Sequence, residues 1–252
     1  YGNLSATEVR AVTRAAKQYD IPVIADMFVR NGAEHFVDAG LRAFAHPPNQ
    51  VTPETISTMK ELDVHIITTF TGYEGKERAR TLEYLSHPLI AHTVSPSVLN
   101  ELIEQADQEL SPEEQSRSDF RANLRKTLMQ NIGVVHKAGI PLIAGTDGTT
   151  VGVFPGEGIH IELEFLVEAG LSPLEAITAA TKNAAMLLQH EDEWGTIEAG
   201  KRADILIVNG RPDEDISETR NIVTVIQRGK IIDRAALQFK AISSPDFREV
   251  NF

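Results

Sequence analysis

Three residues with side chains suited to metal binding each close a short apolar run in this sequence. Asp26 and His46 each end such a run, and Asp147 follows the uncharged run at 140–144. Carboxylate oxygen and imidazole nitrogen, without sulfur, suit zinc, iron, manganese or nickel in a hydrolytic site. There a metal-bound water becomes hydroxide near neutral pH, and an adjacent carboxylate can take its proton.

Each of these residues also has a plainer interpretation. Asp147 would suit the cap of the turn that follows it, because Asp favours such turns. A histidine at a strand end is more often a hydrogen-bonded structural residue than a ligand. The shared position favours chemistry, because the C-terminal ends of parallel barrel strands converge over one mouth despite large sequence separation.

The elements that must position these residues alternate between helix and strand. A capping box formed by Ser5 and Glu8 predicts the start of a first helix that runs to about residue 19. Short strands are predicted at 21–26, 42–46, 64–70 and 140–144. Helices are predicted at about 31–39, 52–62, 115–138, 159–169, 173–181 and 183–189.

Two further regions depart from this alternation. The charged, proline-broken stretch at about 73–120 predicts a helical insertion or lid above a strand end, with helices near 75–85 and 96–108. From residue 195 the sequence becomes typical of β-structure, at 195–198, 203–210 and 222–233, with Arg228 and Gly229 where a hairpin turn belongs.

The predicted fold class is therefore α/β, a (β/α) barrel followed by a small antiparallel β unit. Four strands cannot close such a barrel. Either a half-barrel pairs with another copy, or half of a parent sequence is missing. A half-barrel exposes strand edges and apolar helix faces, so we expect it to favour self-association into a homo-oligomer.

The bulk composition excludes several classes of partner. The formal charge is −12 over 252 residues, which argues against nucleic acid and acidic membrane surfaces. Cysteine is absent, which excludes disulfides and thiolate sites. No apolar run approaches the ~20 residues of a membrane helix and no signal-peptide core is visible, which favours a cytoplasmic location without establishing one.

Three motifs resemble the amidohydrolase superfamily. They are Gly-Thr-Asp at 145–147, the run 160–185 that begins His-Ile-Glu-Leu-Glu, and Gly-Thr-Ile-Glu-Ala-Gly-Lys-Arg-Ala-Asp at 195–204. The closest branch is the imidazolonepropionase-like and prolidase-like group of metal-dependent hydrolases. The resemblance implies strands 5–8 of a (β/α)8 barrel over residues 1–193, and part of a small β-sandwich over 194–252.

The resemblance also implies roles for individual residues. Asp147 matches the aspartate after the eighth strand, a metal ligand and proton shuttle. His46 matches the histidine after the sixth strand, which binds a metal or polarises the substrate carbonyl. His160 lies where similar proteins have a substrate-orienting histidine, although it would also suit a helix start that bonds its own loop. Tyr73 is a further substrate-binding candidate, with an exposed loop tyrosine as the alternative.

Two departures from the family pattern bear on function. Asp26 stands where the family has histidine after the fifth strand, and a carboxylate there changes charge, reach and metal preference. The family's His-x-His pair of the first strand is absent from residues 1–252. The simplest account is that these residues represent the C-terminal part of a longer protein.

The resulting expectation is a hydrolase that uses a divalent metal, zinc favoured over iron or manganese, to cleave C–N bonds. Its substrate would be a small amide, cyclic amide or dipeptide, and its metal ligands Asp26, His46 and Asp147. The alternative is a catalytically inactive, truncated or degenerate relative that retains the fold only.

Overall fold

The structure is a computed structural model that describes residues 4–26, 33–106, 108–148 and 150–237. Its strands are β1 (Ile24–Asp26), β2 (Ala43–Ala45), β3 (His65–Thr68), β4 (Leu142–Ala144), β5 (Ile205–Val208), β6 (Ile222–Gln227) and β7 (Lys230–Ile231). Its helices are α1 (Ala6–Lys17), α2 (Ala33–Phe36), α3 (Pro53–Glu61), α4 (Phe70–Arg78), α5 (Leu82–Leu85), α6 (Pro88–Thr93), α7 (Pro96–Ala106), α8 (Pro112–Lys137), α9 (Glu157–Glu168), α10 (Pro173–Ala180) and α11 (Lys182–Leu187).

Strands β1 to β4 form one parallel sheet in the order β1-β2-β3-β4. The register pairs Asp26 with Ala45 and Thr68 with Ala144, so the C-terminal ends of all four strands lie level. Residues that immediately follow these strands are therefore brought to one edge of the sheet. The four predicted strands, and the α/β class with a parallel sheet, are confirmed.

Buried side chains lie on both faces of the sheet at β2 to β4, which explains the apolar sequences of these strands, whereas Ile24 and Asp26 of the edge strand β1 are exposed. Phe44, Ile66 and Leu142 point into a large core built with the flanking helices, where Ile132 and Leu166 are fully buried. On the opposite face, a smaller cluster packs Ala43 and Ile143 against Leu187 of α11. The sheet is thus fixed from both sides close to the strand ends.

The capping box that the sequence predicts at the first helix is present. Glu8 N–H donates to Ser5 Oγ at 3.3 Å, and Ser5 N–H donates to the Glu8 carboxylate at 2.7 Å. The same arrangement starts α8 at Ser111 and Glu114, three residues before the predicted start of that helix. Such reciprocal bonds satisfy amides that a helix leaves unpaired at its N-terminus.

Two local predictions are wrong. The strand predicted at 64–70 ends at Thr68, and Phe70 already begins α4, so Tyr73 lies on a helix and not in a loop. Residues 195–198 form an irregular loop instead of β-structure, and Thr196, Glu198 and Lys201 hydrogen-bond to one another within it.

Strands β5, β6 and β7 form a separate antiparallel sheet in that order. Arg228 and Gly229 make the turn between β6 and β7, both with positive φ, of 50° and 76°. This hairpin is confirmed at the predicted position. Among the described residues, no helix is both long enough and apolar enough to cross a bilayer. The predicted division at 193/194 and the predicted self-association stay predictions.

Candidate active site

His46 directly follows β2 in a left-handed backbone conformation with φ of 73°. Its amide donates to the carbonyl of Ile67 at 3.0 Å, which extends the pairing of β2 with β3 by one residue. A side chain larger than glycine in this region costs about 1–3 kcal/mol, and such residues concentrate at functional sites. The conformation therefore supports a role for His46 beyond packing.

The ring of His46 is oriented by two contacts. Its Nδ1 shares a hydrogen bond of 2.7 Å with the hydroxyl of Thr69, the residue that follows β3. Its Nε2 lies 3.5 Å from Oδ1 of Asp26, at the end of β1. Two of the three predicted metal ligands are thus side by side at one edge of the sheet.

Asp147 follows β4 and also has a left-handed backbone, with φ of 51°. Its carboxylate accepts a hydrogen bond of 3.2 Å from the hydroxyl of Thr150, so the turn-capping alternative is part of its role. It also lies directly over Gly72 of α4, where an added Cβ would be 3.0 Å from Oδ2. The missing side chain at Gly72 lets the helix approach the carboxylate closely.

Tyr73 brings a phenol to the same edge. Its ring meets that of His46 edge-on, with centroids 6.5 Å apart and planes at 89°. Burial, reinforced by the carboxylates of Asp147, Asp26 and Glu162, raises the pKa of Tyr73 to about 12. The phenol therefore stays neutral near pH 7 and can donate a hydrogen bond.

His46, Asp147 and Tyr73 line a cleft of about 630 Å³, whereas Asp26 is not among the residues that line it. His46, Gly72, Tyr73, Asp147 and Thr150 form its side at the strand ends. The opposite side is a face of α8 that presents Ser116, Arg117, Phe120, Arg121 and Leu124. The imidazole, carboxylate and phenol at the strand ends thus face apolar and guanidinium groups of α8. Small-molecule sites commonly combine apolar surface with a few polar groups in this way.

His160 is not among the residues that line this cleft. It lies in the first turn of α9, is buried, and its Nδ1 shares a hydrogen bond of 2.9 Å with Thr219. It thus contacts the segment that precedes β6 instead of its own loop. Its substrate-orienting role stays a prediction.

The environment of His160 predicts a pH dependence of stability. Burial, with electrostatic effects of the nearby Arg220 and His87, lowers the pKa of His160 from 6.5 to about 4. The unfolded chain then binds the proton more tightly, so stability is present above pH 6.5 and is lost as the pH falls toward 4. The loss in free energy of unfolding should reach about 3 kcal/mol at most.

Urea unfolding measured between pH 7 and pH 4 tests this expectation. The His160→Gln variant should lose less stability over that interval than the wild type, because glutamine does not titrate. His190→Gln serves as control, since His190 is exposed and stacks on Trp194. Equal slopes for wild type and His160→Gln would contradict the burial argument.

The fit of this edge to a divalent metal is incomplete. Asp26 and His46 offer an oxygen and a nitrogen donor within 3.5 Å of each other, a chemistry suited to zinc, iron or manganese. Within the described ranges, however, no group of three or more histidine, aspartate or glutamate residues is placed to hold a metal ion. Asp26 and His46 by themselves could supply only two donors of such a ligand set.

Several site residues carry no local sequence signal. Thr69 and Gly72 lie at the end of a sequence run that is typical of a β-strand, and Phe120 lies in a predicted charged helix, so neither run indicates a role in a site. Glu162 lies in the motif shared with the superfamily, where it would pass for a residue that merely favours a helix start. Its carboxylate accepts hydrogen bonds from the amides of Phe70 and Thr71, which lie 92 and 91 residues away in sequence, so no local pattern indicates these contacts.

The model of the amidohydrolase family matches residues 2–232 of this chain. The chain belongs to the amidohydrolase family. Amidohydrolases are hydrolases that generally use divalent metals.

Two curated amidohydrolases illustrate the sequence likeness. The ochratoxinase of Aspergillus niger is 36% identical over 100 residues, which cover 38% of this chain and 20% of the relative. The imidazolonepropionase of Caldanaerobacter subterraneus subsp. tengcongensis is 40% identical over 72 residues, which cover 28% of this chain and 17% of the relative.

Solved structures extend the likeness to most of the chain. A Xaa-Pro dipeptidase with methionine bound in its active site superposes with a TM-score of 0.67 at 25% identity, over 91% of this amidohydrolase and 49% of the dipeptidase. A putative prolidase from Bifidobacterium longum gives a TM-score of 0.68 at 25% identity, over 93% of this chain and 55% of the prolidase. The chain thus spans about half the length of these relatives.

Proposed function

We propose that this chain provides strands 5–8 of a (β/α)8 barrel over residues 1–193, and part of a small β-sandwich over 194–252. Residues 73–120 would form a helical insertion over the strand ends. In this proposal the chain serves a metal-dependent hydrolase that cleaves C–N bonds in small amide or peptide-like substrates. The observation that carries the proposal is the convergence of His46, Asp147 and Tyr73 on one cleft.

The backbone conformations of two of these residues support the same conclusion. His46 and Asp147 each hold a left-handed conformation at the point where a parallel strand ends. A structural turn could relieve this strain with glycine, whereas chemistry needs the imidazole and the carboxylate in place. The left-handed conformations after β2 and β4, the two strands that flank β3, together with the shared cleft favour a catalytic assignment for both side chains.

A divalent metal, zinc favoured over iron or manganese, would be held in part by His46 and Asp26, with Asp147 as a further donor. When bound, such a metal supplies an acidified water for attack on a carbonyl. The described residues form no three-donor group, so other ligands would have to complete the set.

The protein's own groups account for the remaining roles. Asp147 would take a proton from the attacking water and return it to the leaving nitrogen, as a positioned carboxylate does in general acid–base catalysis. His46, oriented by Thr69 through Nδ1, would use Nε2 either to bind the metal or to steady negative charge on the substrate oxygen. Tyr73 would donate a hydrogen bond to the substrate, because its phenol stays neutral. His160, outside the cleft, would act on the substrate only if the substrate or α9 reached it.

The shape of the cleft favours a particular class of substrate. Its polar side would face the bond to be cleaved, and Phe120 and Leu124 would contact an apolar substituent. Similar proteins include a Xaa-Pro dipeptidase, which supports dipeptides as the first compounds to assay.

Hydrolysis by the metal-depleted and metal-reloaded protein tests the proposal. We expect amide cleavage from a panel of dipeptides and N-acyl amino acids, its loss after chelation, and its return with zinc, iron or manganese. The competing function is a catalytically inactive relative that retains the fold, favoured by the lack of a three-donor group in the described residues. A protein that binds none of these metals and cleaves none of the panel would support the inactive relative and contradict the proposal.

A further inference from the structure

Glu162 is a fully buried carboxylate in the middle of the fold. It lies on α9 with no solvent exposure, and both of its oxygens accept hydrogen bonds from the start of α4. The amide of Phe70 donates to Oε1 at 3.1 Å, and the amide of Thr71 donates to Oε2 at 2.8 Å. The hydroxyl of Thr71 donates to Oε2 at 2.7 Å. These are the contacts of a helix N-cap, supplied from another helix.

The residue in the N-cap position of α4 does not perform this task. Thr69 has a hydroxyl of the kind that caps helices well, yet it makes no capping hydrogen bond to α4. Its hydroxyl instead contacts Nδ1 of His46 at 2.7 Å. The carboxylate of Glu162 takes the place that this hydroxyl leaves empty.

The first turn of α4 is the part of the helix that meets the catalytic residues. Gly72 lies under the carboxylate of Asp147, and the ring of Tyr73 meets the ring of His46. Any shift of this turn would therefore displace Gly72, which contacts Asp147, and Tyr73, which contacts His46, at the same time. The position of the turn is fixed by the amides that Glu162 binds.

We infer that Glu162 is a positioning residue that caps α4 in place of Thr69, and thereby leaves the Thr69 hydroxyl free to orient His46. It is not among the residues that line the cleft, and it acts through α4 and Thr69. The inference deepens the proposed function, since the geometry it controls is that of the proposed active site.

The energetics favour this role over simple support of the fold. An ionised carboxylate in the interior is costly, and burial raises the pKa of Glu162 even though hydrogen bonds from Thr68, Thr71 and Phe70 oppose the rise. A threonine already stands in the N-cap position, and its hydroxyl could accept from one amide of the first turn without a buried carboxylate. Capping by Glu162 leaves the Thr69 hydroxyl available to bond His46, whereas capping by Thr69 would not.

Nuclear magnetic resonance of the full chain tests the inference without a substrate. Glu162→Gln should accelerate amide exchange at Phe70 and Thr71 by roughly tenfold, as expected for a weakened cap. It should also shift the Nδ1 nitrogen resonance of His46, because Thr69 is then drawn toward the helix. Where hydrolysis is measurable, kcat should fall while KM changes less than twofold.

Matched variants separate positioning from general destabilisation. Glu157→Gln is the control, because Glu157 is equally buried on the same helix but pairs with Arg220. It should leave the resonances of Phe70, Thr71 and His46 unchanged. Thr69→Val should shift the His46 resonance without faster exchange at Phe70, and Thr69→Ser should restore the wild-type signal.

Unchanged His46 resonances in Glu162→Gln, or equal changes in Glu157→Gln, would overturn the inference. If Glu162→Gln does not fold, Thr71→Val decides, because it removes one donor to Glu162 and keeps the backbone amide. It should shift His46 in the same direction by a smaller amount, and no shift would overturn the inference. Coupled resonances in a protein without hydrolase activity would refute the proposed function alone.

Discussion

Replacement of Asp147 by asparagine is expected to lower kcat for amide hydrolysis by roughly 10²–10⁴-fold, the range that a positioned acid–base group contributes. Asparagine has the same shape and can still accept the hydrogen bond from Thr150, so the turn and the contact with Gly72 should persist. The midpoint of thermal unfolding should therefore change little. Steady-state kinetics and circular dichroism on the same preparations provide the measurement.

Asp20→Asn is the matched control for this variant. Asp20 has the same side chain and a similar left-handed backbone, with φ of 55°, but it lies exposed after α1 and does not line the cleft. It should retain wild-type kcat and stability. Full activity in Asp147→Asn would remove Asp147 from the chemistry and leave it as a turn cap.

The largest expected effect on folding comes from Gly152→Ala. A Cβ at Gly152 would lie 1.8 Å from the carbonyl oxygen of Gly75 in α4, and the backbone φ is 83°. Backbone cannot yield to such an overlap without displacing the helix. We expect a loss of at least about 4 kcal/mol in the free energy of unfolding, enough to unfold a marginally stable domain.

Gly139→Ala is the matched control for the steric argument. Gly139 has a φ of 81°, but no heavy atom lies within 4 Å of an added Cβ. Its substitution should cost only the left-handed backbone strain, about 1 kcal/mol. Chemical denaturation of both variants measures the difference, and equal losses would show that backbone conformation alone sets the cost.

The close contact of Gly152 with Gly75 also bears on the site. Gly152 belongs to the loop that follows Asp147, and Gly75 lies two residues beyond Tyr73 on α4. Close backbone packing ties this loop to the helix, in addition to the contact between Asp147 and Gly72. The carboxylate and the phenol are therefore supported by one packed unit.

The strand ends could be predicted from the sequence because their signals are local. An uncharged run bounded by glycine predicts a buried strand, and level strand ends bring the next residues together. This reasoning predicts that Asp26, His46 and Asp147 lie at one edge of the sheet. In the structure Asp26 lies beside His46, and His46 shares the cleft with Asp147. The capping box of Ser5 and Glu8 was equally local, since its partners are three residues apart.

The features that the sequence does not predict have a common physical cause, which is contact between residues far apart in sequence. The β-branched run before Phe70 reads as a longer strand, but Glu162 caps a helix there from 91 residues beyond Thr71. His160 and Thr219 are separated by 59 residues, so no local pattern foretells their hydrogen bond. The helix and strand propensities of single residues, and the spacing of residues along the sequence, do not predict such long-range contacts.

The location of a bound metal tests the central claim most directly. Crystals of the active protein, grown with the divalent metal that restores hydrolysis, can be measured for anomalous scattering at the absorption edge of that metal. The account predicts a peak adjacent to Nε2 of His46 and the carboxylate of Asp26, and its loss in His46→Ala. A metal bound elsewhere in an active protein, or full hydrolysis after complete chelation, would contradict it.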